Sequence, residues 1–316
     1  MATTVLGLKT FTASDPVDYN EINDNYNKID NGVKTALQGR AAHNWLGNSN
    51  FRIAQAGYGG MHGTQKYACD RWYDTYGYGS FSFDESQGLT IAYGTNHAYL
   101  VQKIDGASLL HGKYVTLACQ LSDGTVYVNS GVFNSSGTSF QIVVDSGKTF
   151  TLYYDRAEFV VTSGSMTIKW AALYEGSYTA DTLPAYQPKG YSAELAECMR
   201  YFERIGSAES IKLGNNIYVG SGAKAFVFSI KYAPKRLKSP SVTFSDVSNY
   251  RVLFQDAVNA SVYGASGITA IDDIMAESPY AQFRVSISSA IDTNSWAVLQ
   301  RQDGAQNAYI DISADL

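Results

Sequence analysis

The run "TFTLYYDRAEFVVTSGSMTIKWAALY" (149–174) decides the fold class. It divides into "TFTLYY" (149–154), "EFVVTS" (158–163) and "MTIKWAALY" (166–174), each alternating apolar and polar side chains with a period of two. That is the period of a strand with one face in a core. Ser163-Gly164 is a turn signal between the last two. Working outward, the same pattern occurs in "FSF" (81–83), "LTIAY" (89–93), "HAYLVQKI" (97–104), "KYVTLACQL" (113–121), "TVYVN" (125–129) and "SFQIVV" (139–144). Asp123-Gly124, Ser136-Gly137 and Ser146-Gly147 punctuate them. Eight or nine strands at that spacing predict a two-sheet sandwich of jelly-roll type over residues 41–190. Proline is nearly absent from this stretch, as central strands require.

Composition agrees. The chain has 316 residues, with Tyr 24 against Trp 4, Gly 28 and only 17% charged side chains. Aromatic and β-branched residues suit pleated surfaces, and Gly and Asn suit turns. The net charge of −5 supplies no basic stripe for nucleic acid or an anionic membrane. No stretch of 18 apolar residues occurs, so no membrane insertion is expected. The opening "MATTVLGLKTFTASDP" lacks a basic segment followed by an apolar one, so no secretory signal is expected. Cys69, Cys119 and Cys198 are widely spaced and read as small buried hydrophobes rather than as bridges or ligands.

Toward the N-terminus the period changes. In "DYNEINDNYNKIDNGVKTAL" (18–37), Tyr19, Ile22, Tyr26, Ile29, Val33 and Ala36 recur at spacings of three and four. Asp15 as N-cap and Pro16 at the first helical position start this helix, and Gly39 closes it. The narrow apolar seam predicts self-association, three copies to a bundle, rather than a helix lying on the chain's own sheet. Residues 1–40 therefore read as a trimerisation segment.

Toward the C-terminus, "YQPKGYSAELAECMRYFERIG" (186–206) interrupts the strand pattern. Ser192 can N-cap a linker helix (191–206) whose Leu195, Cys198, Met199, Phe202 and Ile205 form one apolar face, with Gly206 at its end. Residues 207–316 return to strands at 210–220, 225–231, 241–244, 260–264, 268–271, 281–288 and 308–313. Few large core residues stand in them, which predicts a β head that completes its core against symmetry mates.

The usual traces of catalysis are weak. "SGKTF" (146–150) has Ile142 where a phosphate-cradling loop needs glycine, so it reads as a turn. His43, His62, His97 and His111 are scattered, and no metal or other cofactor is expected. Asp272-Asp273 reads as a solvated turn. Asp70, Asp74, Asp84 and Glu85 lie near one another in sequence, but a glycosidase pair needs geometry that proximity in sequence does not supply. For recognition, "CDRWYDTYGYGSFSF" (69–83) concentrates Trp72, Tyr73, Tyr76 and Tyr78 beside Asp74. Aromatic rings meet the flat faces of sugars, and acids meet their hydroxyls; the same side chains hold a protein epitope equally well. Trp72, Asp70 and Arg71 also read as a buried anchor, whereas Tyr76 and Tyr78, between Gly77 and Gly79, read as exposed.

Four segments resemble one family. "NWLGNSNFRIAQAG…YACDRWY" (44–73) resembles the opening of a β-sandwich module in bacteriophage and prophage tail proteins. "IKWAALYEGSYTADTLPAYQPKGYSAELAECMRYFERIG" (168–206) resembles that module's end. "TASDPVDYNEINDNYNKID" (12–30) resembles the helix by which such proteins attach to a tail, and "AYIDISADL" (308–316) is similar to a tail-fibre tip. The resemblance implies a homotrimeric receptor-binding tail-fibre protein of the virion with a carbohydrate-binding-like jelly roll. Its partners would be a host cell-surface glycan or protein, met chiefly by residues 207–316 as the distal receptor-binding head, and, through the N-terminus, other tail or baseplate proteins. It implies no catalytic residue, and the iron-binding H-x-H run of some tail fibres is absent. A polysaccharide depolymerase using an acid pair, and a purely structural tail spacer, are the competing readings.

Overall fold

The computed structural model describes residues 19–38, 42–62, 65–206, 217–219, 224–256, 262–288, 295–301 and 308–314. The protein is mainly β, and its strands pair antiparallel, as in β-hairpins and meanders. It folds as two compact units. The first is Met1–Phe51 with Asp74–Lys189, and the second is Arg52–Tyr73 with Gly190–Leu316. The units thus do not follow contiguous ranges: residues 52–73 leave one and belong to the other. The strands β1 (Met61–His62) and β2 (Gln65–Cys69) lie in that excursion, and β3 (Trp72–Asp74) spans its return. None of the three shows in the periodicity. Tyr67, Ala68, Cys69 and Asp70 are all buried, so no polar face alternates with an apolar one.

In the first unit, β4 (Ser80–Asp84), β5 (Gly88–Ala92), β6 (Ala98–Lys103), β7 (Tyr114–Leu121), β8 (Val126–Val132), β9 (Thr138–Asp145), β10 (Lys148–Tyr153), β11 (Arg156–Val161) and β12 (Ser165–Glu175) coincide with the nine runs of alternation. One sheet runs β4-β5-β12-β7-β8, and the other carries β6-β11-β10-β9. In β5, β7 and β12 of the first sheet the apolar phase is buried at Leu89, Ile91, Val115, Leu117, Met166, Ile168 and Leu173, and in the second at Leu100, Phe150, Leu152, Phe159 and Val161, whereas β4 and β8 are only half-buried or exposed. Phe150 and Phe159 sit opposite each other across β10 and β11, with parallel rings 3.8 Å apart. The "SGKTF" run is the expected turn. Gly147 adopts φ +91°, which a side chain would oppose, and its carbonyl accepts the Thr162 amide at 2.8 Å.

The helix α1 (Tyr19–Gln38) carries the expected seam, and the expected Asp15 N-cap, Pro16 start and Gly39 stop lie outside the described residues. Tyr19, Tyr26, Ile29 and Val33 are exposed, 40% to 75% of each, and Ile22 is half-buried. The side chain of Ala36 lies outside those described.

The second unit departs from expectation in two respects. The helix α2 (Tyr191–Met199) starts at Gly190, whose carbonyl accepts the Glu194 amide at 3.0 Å, so Ser192 is not its N-cap. It also stops before Phe202. Residues Phe202–Ile205 form strand β13, not a last helical turn. Two interactions favour the extended form: Phe202 is fully buried, and Arg204 binds Asp311 through two bonds of 2.7 Å, from Nε to Oδ1 and from Nη2 to Oδ2.

The expected deficit of core is the second departure. Beyond β14 (Ile217–Val219), β15 (Ala225–Lys231) and β16 (Ser241–Phe244), the chain adds β17 (Tyr250–Asp256), β18 (Val262–Glu277), β19 (Tyr280–Ile287), β20 (Ser295–Arg301) and β21 (Ile310–Ser313). The sheets run β13-β21-β16 and β14-β20-β17-β18-β19-β15. Phe226, Phe228, Phe283 and Val285 of the larger sheet share one buried cluster with Val242, Ile310 and Ile312 of the smaller. Strands β17 and β20, which the sequence pattern did not reveal, contribute Tyr250, Val252, Ala297 and Leu299. The unit therefore closes a core within one chain. All three cysteines are free and buried.

Candidate functional site

The five residues expected to form a binding surface divide sharply. Trp72 has no exposed surface and is a core residue, which corrects its place among candidate ligand contacts. Asp74 is 2% exposed and is occupied by its own loop: Oδ1 accepts the Tyr76 amide at 3.2 Å and Oδ2 the Gly79 amide at 2.7 Å. An aspartate that closes a turn on two backbone donors is a fastener, not a hydroxyl reader. Tyr73 is half-buried, its ring tilted against Tyr67. Tyr76 and Tyr78 stand out at 60% and 43% exposure.

Those two tyrosines belong to a larger aromatic surface of the first unit. Their rings stack at 6.0 Å, inclined by 16°. Tyr76 meets Tyr99 edge to face at 5.1 Å. Tyr99 adjoins His97, whose Nδ1 lies 3.3 Å from the phenolic oxygen, and His97 adjoins Tyr93 at 6.3 Å. Such contacts orient rings without consuming their outer faces. Two loops and a strand supply the five rings: Tyr76 and Tyr78 precede β4, Tyr93 and His97 lie between β5 and β6, and Tyr99 is on β6.

Close backbone approach joins the loops. A Cβ on Gly94 would collide with the carbonyl oxygen of Tyr78, and one on Gly79 would lie 2.9 Å from the Cβ of Ala98. The Thr75 amide donates to the Tyr99 carbonyl at 3.1 Å, and the Tyr93 amide to Gly164 at 2.8 Å. Sequence reasoning missed Tyr93, His97 and Tyr99. Tyr99 reads as an ordinary outward residue between buried Ala98 and Leu100, and nothing local shows that Tyr76 reaches it.

The same face of the sheet carries a polar group beyond Tyr99. Tyr99 pairs with Val160, and Val101 with Glu158, so Tyr99 and Glu158 point the same way. Glu158 is 7% exposed. Its carboxylate lies 3.4 Å from the Tyr153 hydroxyl and 3.5 Å from Arg156 Nε, and the Arg156 guanidinium covers the Tyr153 ring at 4.2 Å. Burial, and then the Glu158 charge, raise the Tyr153 phenol above its ordinary value. Burial works against the Arg156 charge, and the Glu158 and Asp155 carboxylates more than offset it.

Asp70 and Asp84 are also committed locally. Asp70 accepts the Gln55 amide at 2.9 Å and its side-chain Nε2 at 2.6 Å, within the second unit. Arg71, at φ +76°, stacks on the Tyr201 ring at 3.4 Å. Asp84 accepts from the Ser86 hydroxyl and amide and the Gln87 amide, bonds that hold its carboxyl below the usual range. Among the described residues, no group of three or more His, Cys, Asp or Glu converges as a metal ion requires. No described helix is long and apolar enough to cross a membrane.

No protein-family model matches the chain, and no curated protein matches it significantly. Among solved structures, the crystal structure of Lactobacillus farciminis oxalate decarboxylase with formate aligns over 80% of this chain and 90% of that one. The identity is 7% and the TM-score 0.09, an overlap that carries no argument about fold or function.

Proposed function

We propose that this protein is a phage or prophage tail-fibre protein that attaches the particle to a host cell-surface glycan, as a homotrimer and without catalysis. The first unit acts as a jelly-roll, carbohydrate-binding-like sandwich, and residues 1–40 join three chains and dock on other tail proteins. The observation that carries the binding reading is the surface of Tyr76, Tyr78, Tyr93, His97 and Tyr99. Its flat, half-open rings suit the C–H faces of sugar residues. Arg156, half-buried on the same sheet face, adds a guanidinium for hydroxyls. The chain's changes of sheet at β5–β6, β6–β7, β8–β9 and β11–β12 support a jelly-roll-type winding.

The exposed seam of α1 supports assembly, because tyrosine, isoleucine and valine at heptad spacing gain most by facing copies of themselves. Three weak sites on one particle add through effective concentration, so shallow sites suffice. Glycan-array binding by the full chain and by the Tyr76→Ala/Tyr78→Ala variant tests the reading. A wild-type signal on at least one surface glycan, lost in the variant, supports it; equal signals remove the aromatic surface from the site.

A further inference from the structure

The second unit holds a cavity of about 660 Å³ at the end of the β18–β19 hairpin, within the range of small-ligand sites. We propose that it is a separate saccharide-binding site for one or two neutral sugar residues. It shares no residue with the aromatic surface of the first unit and goes beyond that reading.

Its floor is the outward face of the hairpin. Glu277 pairs with Tyr280, and Met275 with Gln282, so all four side chains stand on one side of the ladder. Their neighbours Ala281 and Phe283 point inward to the core. Tyr280 is 52% exposed and offers a ring face, and Met275 is an apolar neighbour. Its wall is the segment before β16, carrying Lys238.

Hydrogen bonds hold wall and floor together. The Ser278 amide donates to the Lys238 carbonyl at 2.8 Å, and the Lys235 amide to the Ser278 hydroxyl at 2.7 Å. Tyr232 also braces the hairpin, its amide donating to the Pro279 carbonyl and its hydroxyl to the Tyr280 carbonyl, both at 3.0 Å. Backbone bonds thus hold together the two segments that frame the cavity, which is open to solvent and faced by the largely exposed Lys238, Met275, Glu277 and Tyr280.

The lining selects the ligand class. Gln282 both donates and accepts, Glu277 accepts and Lys238 donates, which is the mixture that vicinal hydroxyls require. Glu277 and Lys238 pair at 3.0 Å and are both largely exposed. Such a pair is weakly held and can exchange its partner for a sugar hydroxyl. Their charges offset each other, and Lys231, whose Nζ lies 5.9 Å from the Tyr280 ring centroid, adds a further donor at the edge of the site. An aromatic face beside these groups matches a pyranose ring better than an extended peptide.

Saturation-transfer NMR with methyl glucoside, methyl galactoside and methyl N-acetylglucosaminide tests this in three proteins: wild type, Tyr76→Ala/Tyr78→Ala, and that variant with Tyr280→Ala and Gln282→Ala added. Tyr280 and Gln282 face solvent, and an unchanged thermal midpoint checks that the fold persists. The expected result is transfer to at least one glycoside in the Tyr76→Ala/Tyr78→Ala protein, with affinity at least about tenfold weaker once the Tyr280 and Gln282 changes are added. Absence of transfer in the Tyr76→Ala/Tyr78→Ala protein overturns the proposal, as does transfer that survives all four changes. Failure of the aromatic-surface reading shows separately, as equal binding by wild type and the Tyr76→Ala/Tyr78→Ala protein on the glycan array.

Discussion

The carbonyl oxygen of Tyr78 occupies the space in which a side chain at Gly94 would begin. The absence of one Cβ thereby brings two loops together, one carrying Tyr76 and Tyr78 and the other Tyr93 and His97. Gly94→Ala should push them apart. Relief of such a clash costs about 1–3 kcal/mol. The variant should melt lower than wild type and lose glycan binding out of proportion to that loss, measured at a temperature where it is fully folded. Undiminished binding would show that the two loops act independently.

Removing the exposed rings should leave the fold alone. Tyr76 and Tyr78 are outside the core, so Tyr76→Ala/Tyr78→Ala should change stability by no more than about 0.5 kcal/mol per site. Denaturant midpoints read this directly. A large drop would mean that the stacked pair is structural.

At the seam of α1, Ile29→Asp should lower the native mass. The side chain is 40% exposed in one chain, and a carboxylate there would be costly to bury against neighbouring copies. Light scattering should give three chains for the wild type and fewer for the variant. One chain for both proteins would dismiss the trimer.

Truncating Arg204 should be expensive. Asp311 is 4% exposed, and its two bonds to Arg204 are the short, bidentate kind. Arg204→Ala leaves a buried carboxylate without its guanidinium, and destabilises by about 3–5 kcal/mol where such pairs are buried. Chemical denaturation should show that loss in the second unit. A cost below about 1 kcal/mol would mean that water replaces the guanidinium.

Alkali should unfold the protein over a defined window. Burial pushes the Cys119 thiol up to about 12 from 9.0. It likewise pushes the Tyr174 phenol up to about 12 from 10.0, and also the Tyr250 phenol, for which hydrogen bonds with Ser245 and Tyr309 partly offset the rise. Each folded value exceeds the unfolded one, so the unfolded chain releases protons first. Stability from these groups is complete below about pH 9 and is lost as pH climbs toward 12. The slow fraction of tyrosinate absorbance should rise together with loss of circular dichroism. Complete tyrosine titration in a protein that stays folded would contradict the burial argument.

Much of the first unit was legible because sheets with one face in a core write their period into the chain. The runs at 149–154 and 158–163 correspond to β10 and β11 within a few residues. Strands β2 and β20 were missed for a related reason. Tyr67, Ala68 and Cys69 are successively buried, as are Ala297, Val298 and Leu299, so burial erases the alternation. The end of α2 was misplaced because Phe202 and Ile205 fit a helical face as well as a strand. The long-range partner Asp311, which settles the matter, lies outside any local window. Within the site, the exposure of Tyr76 and Tyr78 followed from their flanking glycines, while Asp74 reads the same as a ligand contact or a turn fastener until its acceptor bonds are seen.

Taken alone, the amino-acid order determined that this is a β protein, where most strands of its first unit run, and that a short helix carries an apolar seam, because each is set by neighbours two, three or four residues apart. Tertiary structure decided which unit residues 52–73 join, that the second unit closes its own core, and which rings share one surface. Those outcomes depend on pairings between distant segments, whose energies leave no periodic trace in either segment by itself.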